Sequence, residues 1–439
     1  MTESMSNNCP HPHPHSHSHP RARLVSFRFG LAVLVLALGL GRNSNAQFVS
    51  GDLEKEPFRY SDTEANNRVS KLIAAMEKGD VALEQDGERG YLRSLLKHLE
   101  IPESSQVLVF SKTSLQVQHI SPRNPRAIYF NDDTYVGSVP GSSLVEISTN
   151  DPKLGATFYS FRMGFRLPRI RQETYQCLGC HATSMTKGVP GHAVRSGYPN
   201  YDGDYDVKRE AFVTDETSEF SRRWGGWYVT GLHGSMQHMG NGYLQGGMLD
   251  TTRFANLSSL DKLFDVSKYL TPHSDIHALM VLEHQTQTHN TITLADFRVR
   301  TLEHEDANQD PAERSVQLGM IAKEVVDRLL FCKEFALTSN VSGTSGFAQD
   351  FLKRGPKDSK GRSLREFDML SRMFKYPLSY LIYSDAFDAM SPSLRDAIGG
   401  QLNAILQGDN QDEEYRHLTP ELRQQIREIV QETKPDLLR

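Results

Sequence analysis

The chain has few cysteines and no block of basic residues. Four of its 439 residues are cysteine, and 54 Asp and Glu outnumber 49 Lys and Arg, for a formal net charge of −5. Because a basic block is the charge pattern typical of nucleic-acid binding, we expect no nucleic-acid partner. Only one Cys-x-x-Cys pair occurs, which argues against a zinc site built from two such pairs. The C-terminal part also contains no nucleophile–base constellation, phosphate-binding loop or internal repeat.

An apolar run near the N-terminus has the features of an export signal. Arginines precede residues 29–40, which are apolar apart from two glycines, and Ser44-Asn45-Ala46 follows as a small-x-small site. The run is shorter than the about 20 residues that span a bilayer. Basic, apolar and cleavage segments in this order are typical of a secretory signal. We therefore expect residues 1–46 to be a cleaved signal peptide and the protein to be periplasmic or otherwise exported, with an uncleaved inner-membrane anchor as the alternative.

The most specific pattern in the chain is Cys177-Leu178-Gly179-Cys180-His181. Two cysteines three apart, followed at once by histidine, form the attachment pattern of a c-type haem. Each thiol adds to one vinyl group of the porphyrin, and the adjacent His181 supplies the proximal ligand of the iron. A zinc site would need a second ligand pair, and a thioredoxin-like pair would not need the histidine. We therefore predict one covalently attached haem c.

This motif resembles the haem site of c-type cytochromes. The resemblance covers five residues and implies the roles of Cys177, Cys180 and His181, as well as haem attachment outside the inner membrane, which agrees with the export signal. Residues 120–137 and 223–231 are similar to a group of exported bacterial proteins that have a cytochrome-c-type haem site and no assigned reaction. The surroundings do not resemble a small soluble cytochrome c, because strands precede the motif and the chain is several times longer.

Basic and aromatic side chains around the motif are candidates for contact with the haem. Arg195 can bond a propionate carboxylate bidentately, as can the upstream Arg166, Arg169 and Arg171. Trp224 and Trp227, the only tryptophans, can close over an apolar cofactor. The alternative for the arginines is a solvated charged loop, and the alternative for the tryptophans is an ordinary place in the core.

The iron needs either a sixth ligand or an open position. We expect His238 as the distal ligand, because it lies on a glycine-flanked loop that can approach a ring closely. His233 on the same loop is the second candidate. The third is His284, on a histidine stripe that we interpret as the half-exposed polar face of a helix over residues 274–297. His192 follows the proximal ligand so soon that the chain would have to turn sharply across the ring.

Hydrophobic periodicity predicts an α+β fold. Residues 47–165 are expected to form a small helix-plus-sheet region, whose first helix starts at a capping box of Ser61 and Glu64 and ends at Gly79. Residues 166–260 are expected to form the loop-rich, cytochrome-c-like haem segment. Residues 261–439 read as a helical layer that closes the core.

These observations predict an exported mono-haem c-type cytochrome that transfers single electrons. Its partner would be a redox protein or a small-molecule electron donor or acceptor. The main alternative is a haem-dependent oxidoreductase, peroxidase-like or acting on a small inorganic substrate, with an open iron site. The large chain and its several histidines motivate this alternative.

Replacing Cys177 and Cys180 by alanine removes both attachment sulfurs, so we expect covalent haem to be lost. The measurement is haem staining of the exported protein after denaturing electrophoresis. The matched control is Cys332→Ala, which leaves the pair intact and should keep the stain. Haem that stays on the double variant would contradict the predicted attachment.

Overall fold

The computed structural model describes residues 50–163, 168–252, 254–305 and 310–438. The predicted signal peptide and Arg166 lie outside these ranges. Gln47–Arg439 form one compact unit. None of the helices in the described ranges is long and apolar enough to cross a membrane.

Seven strands form one antiparallel sheet, and four more form two small pairs within the described ranges. In chain order the strands are β1 (Val107–Val109), β2 (Arg126–Phe130), β3 (Thr134–Ser138), β4 (Leu144–Asp151), β5 (Gly155–Arg162), β6 (Ile170–Glu173), β7 (Arg195–Ser196), β8 (Phe212–Val213), β9 (Trp227–Tyr228), β10 (Leu244–Gln245) and β11 (Met248–Leu249). The main sheet has the order β6-β5-β4-β3-β2-β1-β9, whereas β7 pairs with β8 and β10 with β11.

Nine α-helices lie in the described part of the chain, most of them after residue 275. They are α1 (Arg68–Lys78), α2 (Leu92–His98), α3 (Tyr175–His181), α4 (Ile276–Glu305), α5 (Pro311–Leu329), α6 (Phe347–Lys353), α7 (Asp385–Asp388), α8 (Pro392–Gln407) and α9 (Pro420–Thr433). One face of the main sheet packs against α1 and α2. The other face packs against α4 and the helices that follow it. The predicted α+β fold with a helical C-terminal layer is therefore confirmed.

The first helix begins later than the sequence predicted. Asn67 caps α1 by accepting hydrogen bonds from two backbone N–H groups of its first turn. Ser61 instead donates its hydroxyl to the carboxylate of Glu54. The Asn67 side chain also donates to Asp151 on β4, so a contact 84 residues away decides where the helix starts. The predicted end is correct, because Gly79 stops α1 with a left-handed φ of 80°.

Strand β4 shows that the two faces of the sheet are covered to different extents. Val145 and Ile147 are buried, whereas the residues that alternate with them, Leu144, Glu146 and Ser148, are half-buried. Alternate residues of a strand point to opposite faces. The sheet therefore has one closed face and, in this part, one face that stays partly open.

Helix α4 is buried on all sides, so the predicted half-exposed histidine stripe is wrong. Every residue from 276 to 297 is buried, including Glu283, His284 and Gln285. The sequence suggested a half-exposed face because its polar residues outnumber those of an ordinary core helix. The C-terminal helices cover that polar side, with α5 packed on α4 and α8 packed on α5.

The buried polar groups of α4 bond to the elements on either side of it. Gln285 Nε2 donates to the carbonyl of Asn131 and to the Tyr135 hydroxyl, each at 2.8 Å. The Tyr380 hydroxyl donates to Gln285 Oε1 at 2.7 Å. One amide thus joins the sheet to the C-terminal layer. Leaving such a buried group unpaired costs about 1–3 kcal/mol.

Charged side chains are also buried along α4. Arg223 Nη1 lies 3.4 Å from Glu283 Oε2, and both residues are almost fully buried. Burial raises the pKa of Glu283 to about 8, and the Arg223 guanidinium opposes part of that increase. The folded protein therefore keeps a proton that the unfolded chain releases near the ordinary value of 4.5.

This carboxyl makes stability fall as the pH rises from about 4.5 to 8, because the unfolded chain binds fewer protons in that window. Glu283→Gln removes the ionisable group. As the pH rises from 5 to 8, we therefore expect the free energy of unfolding of the wild type to fall relative to that of the variant. The expected relative fall is on the order of 3 kcal/mol. Chemical denaturation at both pH values measures it.

The matched control is Glu324→Gln, which changes an exposed carboxylate paired with Arg298. It should follow the wild type at both pH values. An equal pH dependence of the Glu283→Gln variant and wild type would contradict a buried carboxyl that keeps its proton.

Candidate functional site

Helix α3 carries the Cys-x-x-Cys-His motif and follows directly after β6, the edge strand of the main sheet. Helical spacing of three and four residues places Cys177, Cys180 and His181 on one side of α3. Both thiols are free, Cys177 half-buried and Cys180 exposed. Burial raises the pKa of the Cys177 thiol to about 11, and the carboxylate of Glu173 adds to the effect. This thiol is therefore protonated at neutral pH.

The His181 ring is held in one tautomer. Its Nδ1 lies 2.9 Å from the carbonyl oxygen of Gly191. A carbonyl only accepts, so Nδ1 carries the proton and Nε2 keeps a lone pair. No described residue forms a hydrogen bond with Nε2. A backbone carbonyl on the second ring nitrogen is the usual arrangement behind a metal-bound histidine.

The Gly191 carbonyl is positioned by Asn290 of α4. The Asn290 side chain accepts from the backbone N–H of His192 at 3.1 Å and donates to the His192 carbonyl at 2.7 Å. A Cβ at residue 191 would lie 2.1 Å from Asn290 Oδ1. Only glycine therefore fits between this amide and the chain. The orientation of His181 consequently depends on a helix about 110 residues further along.

The His181 ring packs against the partly open face of the sheet. Its centroid lies 4.7 Å from that of Phe158 on β5 and 6.1 Å from that of His192. Phe158 contacts both histidines, at 5.9 Å from His192. His192 Nε2 is 2.9 Å from the hydroxyl of Ser148 on β4. Three packed rings thus form one wall of the site.

A row of aligned residues lies next to these rings on the same face of the sheet. Directly opposed residues of neighbouring strands share a face, and the register aligns a row from β2 to β6: Ile128, Gly137, Glu146, Ser160 and Arg171. Gly137 is buried, Ile128, Glu146 and Ser160 are half-buried, and Arg171 is exposed. We call this row the shelf. Arg126 pairs with Glu146 of the shelf at 2.9 Å.

The other predicted haem contacts lie together in a second cluster. The Trp224 ring lies 5.3 Å from the His238 ring, which lies 4.7 Å from the His233 ring. Trp227 Nε1 donates to the carbonyl of Arg195 at 2.7 Å. The structure therefore brings Arg195, Trp224, Trp227 and His238 together.

This second cluster does not lie beside the motif. Trp227 belongs to β9 and Phe158 to β5, with five strand-to-strand intervals between them. At about 4.8 Å for each interval, the two positions are about 24 Å apart along the sheet. Among the described residues, the ring contacts of His181 are with Phe158 and His192.

The predicted distal histidines are also engaged elsewhere. Burial lowers the pKa of His238 to about 3, so its ring is neutral within its aromatic cluster. His233 Nε2 accepts a backbone N–H at 3.2 Å. His284 Nε2 lies 2.8 Å from the Ser379 hydroxyl, and its Nδ1 lies 3.4 Å from Glu216. None of the three contacts His181.

Sequence reasoning missed Gly191, Asn290 and Phe158. The Pro190-Gly191 pair signals a turn after the motif and was the one available hint of the returning loop. Nothing in the sequence connects Asn290 to the motif. His192 did appear as a candidate, and the chain turns back after α3 so that the His192 ring lies 6.1 Å from the His181 ring.

The described ranges contain many of the side chains that bind metal ions, namely His, Cys, Asp and Glu. No group of three or more His, Cys, Asp or Glu side chains in these ranges is arranged to hold a metal ion. Comparison with protein-family models, curated proteins and solved structures found no match for this chain. The chemistry of the site is therefore argued from its geometry alone.

Asn290→Ala removes both hydrogen bonds to His192 and leaves two buried backbone groups unpaired. We expect a loss of about 2–4 kcal/mol of stability, measured by chemical denaturation. The matched control is Asn403→Ala, because the Asn403 amide contacts only an exposed glutamine on α8. A loss equal to that of the control would contradict the role of Asn290.

Proposed function

We propose that the protein is an exported mono-haem c-type cytochrome, with one haem attached through Cys177 and Cys180 and with His181 as the proximal iron ligand. The observation that supports this most is the His181 tautomer. Its Nδ1–H is held by the Gly191 carbonyl, and its Nε2 is free beside two unpaired thiols on the same helix. Haem attachment needs both thiols and a neutral imidazole.

The geometry supports the two other interpretations of the motif less well. A structural zinc ion takes four protein ligands, and the described residues contain no group of three. A thioredoxin-like pair uses a thiol with a lowered pKa. Cys177 has the opposite shift, because burial and nearby carboxylates disfavour its thiolate.

Electron transfer fits the position of the motif. When attached, the haem iron supplies one-electron oxidation and reduction. Helix α3 lies at the sheet edge with Cys180 exposed, so the attachment point is accessible to a redox protein or a small-molecule donor or acceptor. Phe158, Glu146 and Ser160 are described side chains placed to contact the attached group, and Asn290 holds His181 in position.

A specific observation also favours a haem-dependent oxidoreductase as the second candidate. His238, His233 and His284 are engaged away from His181, and the packed Phe158 ring contacts both His181 and His192. None of these three predicted distal ligands thus lies beside the proximal histidine, and His192 Nε2 is engaged with the Ser148 hydroxyl at 2.9 Å. An iron with an open sixth position would bind a small molecule instead of a side chain.

Absorption spectra of the exported protein test the site and separate the two functions. We expect a c-type haem spectrum in wild type and an unchanged spectrum in His238→Ala, since His238 belongs to the distant cluster. A shift of the reduced spectrum with carbon monoxide would favour the oxidoreductase, and no shift would favour electron transfer.

The matched control is His181→Ala, which removes the proximal ligand and should alter the spectrum strongly. Absence of haem from wild type made in a host with the maturation machinery would overturn the proposal. A changed spectrum in His238→Ala would instead restore His238 as a ligand.

A further inference from the structure

Charge is distributed unevenly around the motif. Residues 152–201 contain seven Lys and Arg but only one Asp or Glu, a net charge of +6. Because the whole chain has a net charge of −5, the remainder of the chain has a net charge of −11. The motif lies in a strongly basic section of a chain that is acidic as a whole.

Three arginines of this section lie at the edge of the sheet beside the motif. Arg162 ends β5, Arg171 lies within β6, and Arg169 immediately precedes β6. All three are exposed. Arg171 is opposite Ser160, and Ser160 alternates with Phe158 and Arg162 on one face of β5. Arg162 and Arg171 therefore project from the same face as Phe158, against which His181 packs.

These three arginines have no carboxylate partner among the described residues. Three exposed arginines elsewhere do have one: Arg59 pairs with Asp62, Arg93 with Glu103 and Arg416 with Glu413. Like charges held together without a counter-charge repel one another. An anionic ligand would relieve this repulsion.

An exposed aromatic ring lies next to the arginines. Tyr175 starts α3, two residues before Cys177, and is 71% exposed. Tyrosine and arginine are the residue types that most often anchor protein interfaces. We call Arg162, Arg169, Arg171 and Tyr175 together the arginine face.

We propose that the arginine face docks an acidic protein that exchanges electrons with the haem attached to Cys177 and Cys180. The inference rests on the proposed function. An acidic partner is repelled by the rest of the chain and attracted to this face, so electrostatics orients its approach. The docked partner then lies against the helix that holds the haem.

The test compares two triple variants with the same change in net charge. One is Arg162→Gln/Arg169→Gln/Arg171→Gln on the arginine face. The control is Arg59→Gln/Arg93→Gln/Arg416→Gln, which changes the paired arginines elsewhere. Binding of poly-L-glutamate, an acidic polypeptide probe, is measured by calorimetry at low salt. We expect about tenfold weaker binding for the arginine-face variant and little change for the control.

Electron transfer supplies the second readout. The reduced protein gives one electron either to hexacyanoferrate(III), an anion, or to tris(phenanthroline)cobalt(III), a cation. We expect the arginine-face variant to react about tenfold more slowly with the anion and faster with the cation at low salt. Both differences should shrink as salt screens the charges.

Three results would overturn the proposal. Equal changes in the two triple variants would mean that only net charge matters. Unchanged poly-L-glutamate binding with a shifted reduction potential in the arginine-face variant would mean that these arginines pair with the haem propionates. Equal poly-L-glutamate binding by the haem-free wild type and the haem-free arginine-face variant would refute the arginine face as a binding surface, whatever the proposed function. Absence of haem would refute the proposed function but not acidic binding at the arginine face, because the poly-L-glutamate measurement needs no haem.

Discussion

The need to pair the polar groups of the buried helix α4 constrains the rest of the structure. Residues 276–297 are all buried, and each buried polar group left unpaired would cost about 1–3 kcal/mol. The sheet satisfies Gln285 through Asn131, the C-terminal layer satisfies it through Tyr380, and the loop after α3 satisfies Asn290. Three regions distant in sequence are thereby fixed to one helix.

The candidate site depends on the same constraint. The motif supplies two thiols and an imidazole, but the imidazole is oriented by the Gly191 carbonyl, which Asn290 positions. The geometry of this short motif therefore depends on a large part of the chain. The C-terminal helices bury α4, and α4 in turn holds the loop that orients His181.

Electrostatics divides the molecule into an acidic body and a basic edge. Inside, the buried Arg223 guanidinium lies against the Glu283 carboxyl and donates to the backbone carbonyls of Glu216 and Ser218, because an unpaired buried charge is costly. At the edge beside α3, Arg162, Arg169 and Arg171 remain unpaired among the described residues. Solvent tolerates such a cluster, and recognition of an acidic partner is the role that we propose for it.

Sequence alone determined the α+β class and the helical C-terminal layer, and it singled out the motif, because periodicity and the spacing of Cys177, Cys180 and His181 are local properties. It could not place His238, Trp224 and Trp227, because strand order sets their distance from His181, and β9 joins the edge opposite β6. It also misjudged α4, since burial depends on what packs around a helix. Only the tertiary structure decided that Asn290 and Phe158 belong to the site, because Asn290 contacts His192 across 98 residues of chain and Phe158 contacts His181 across 23.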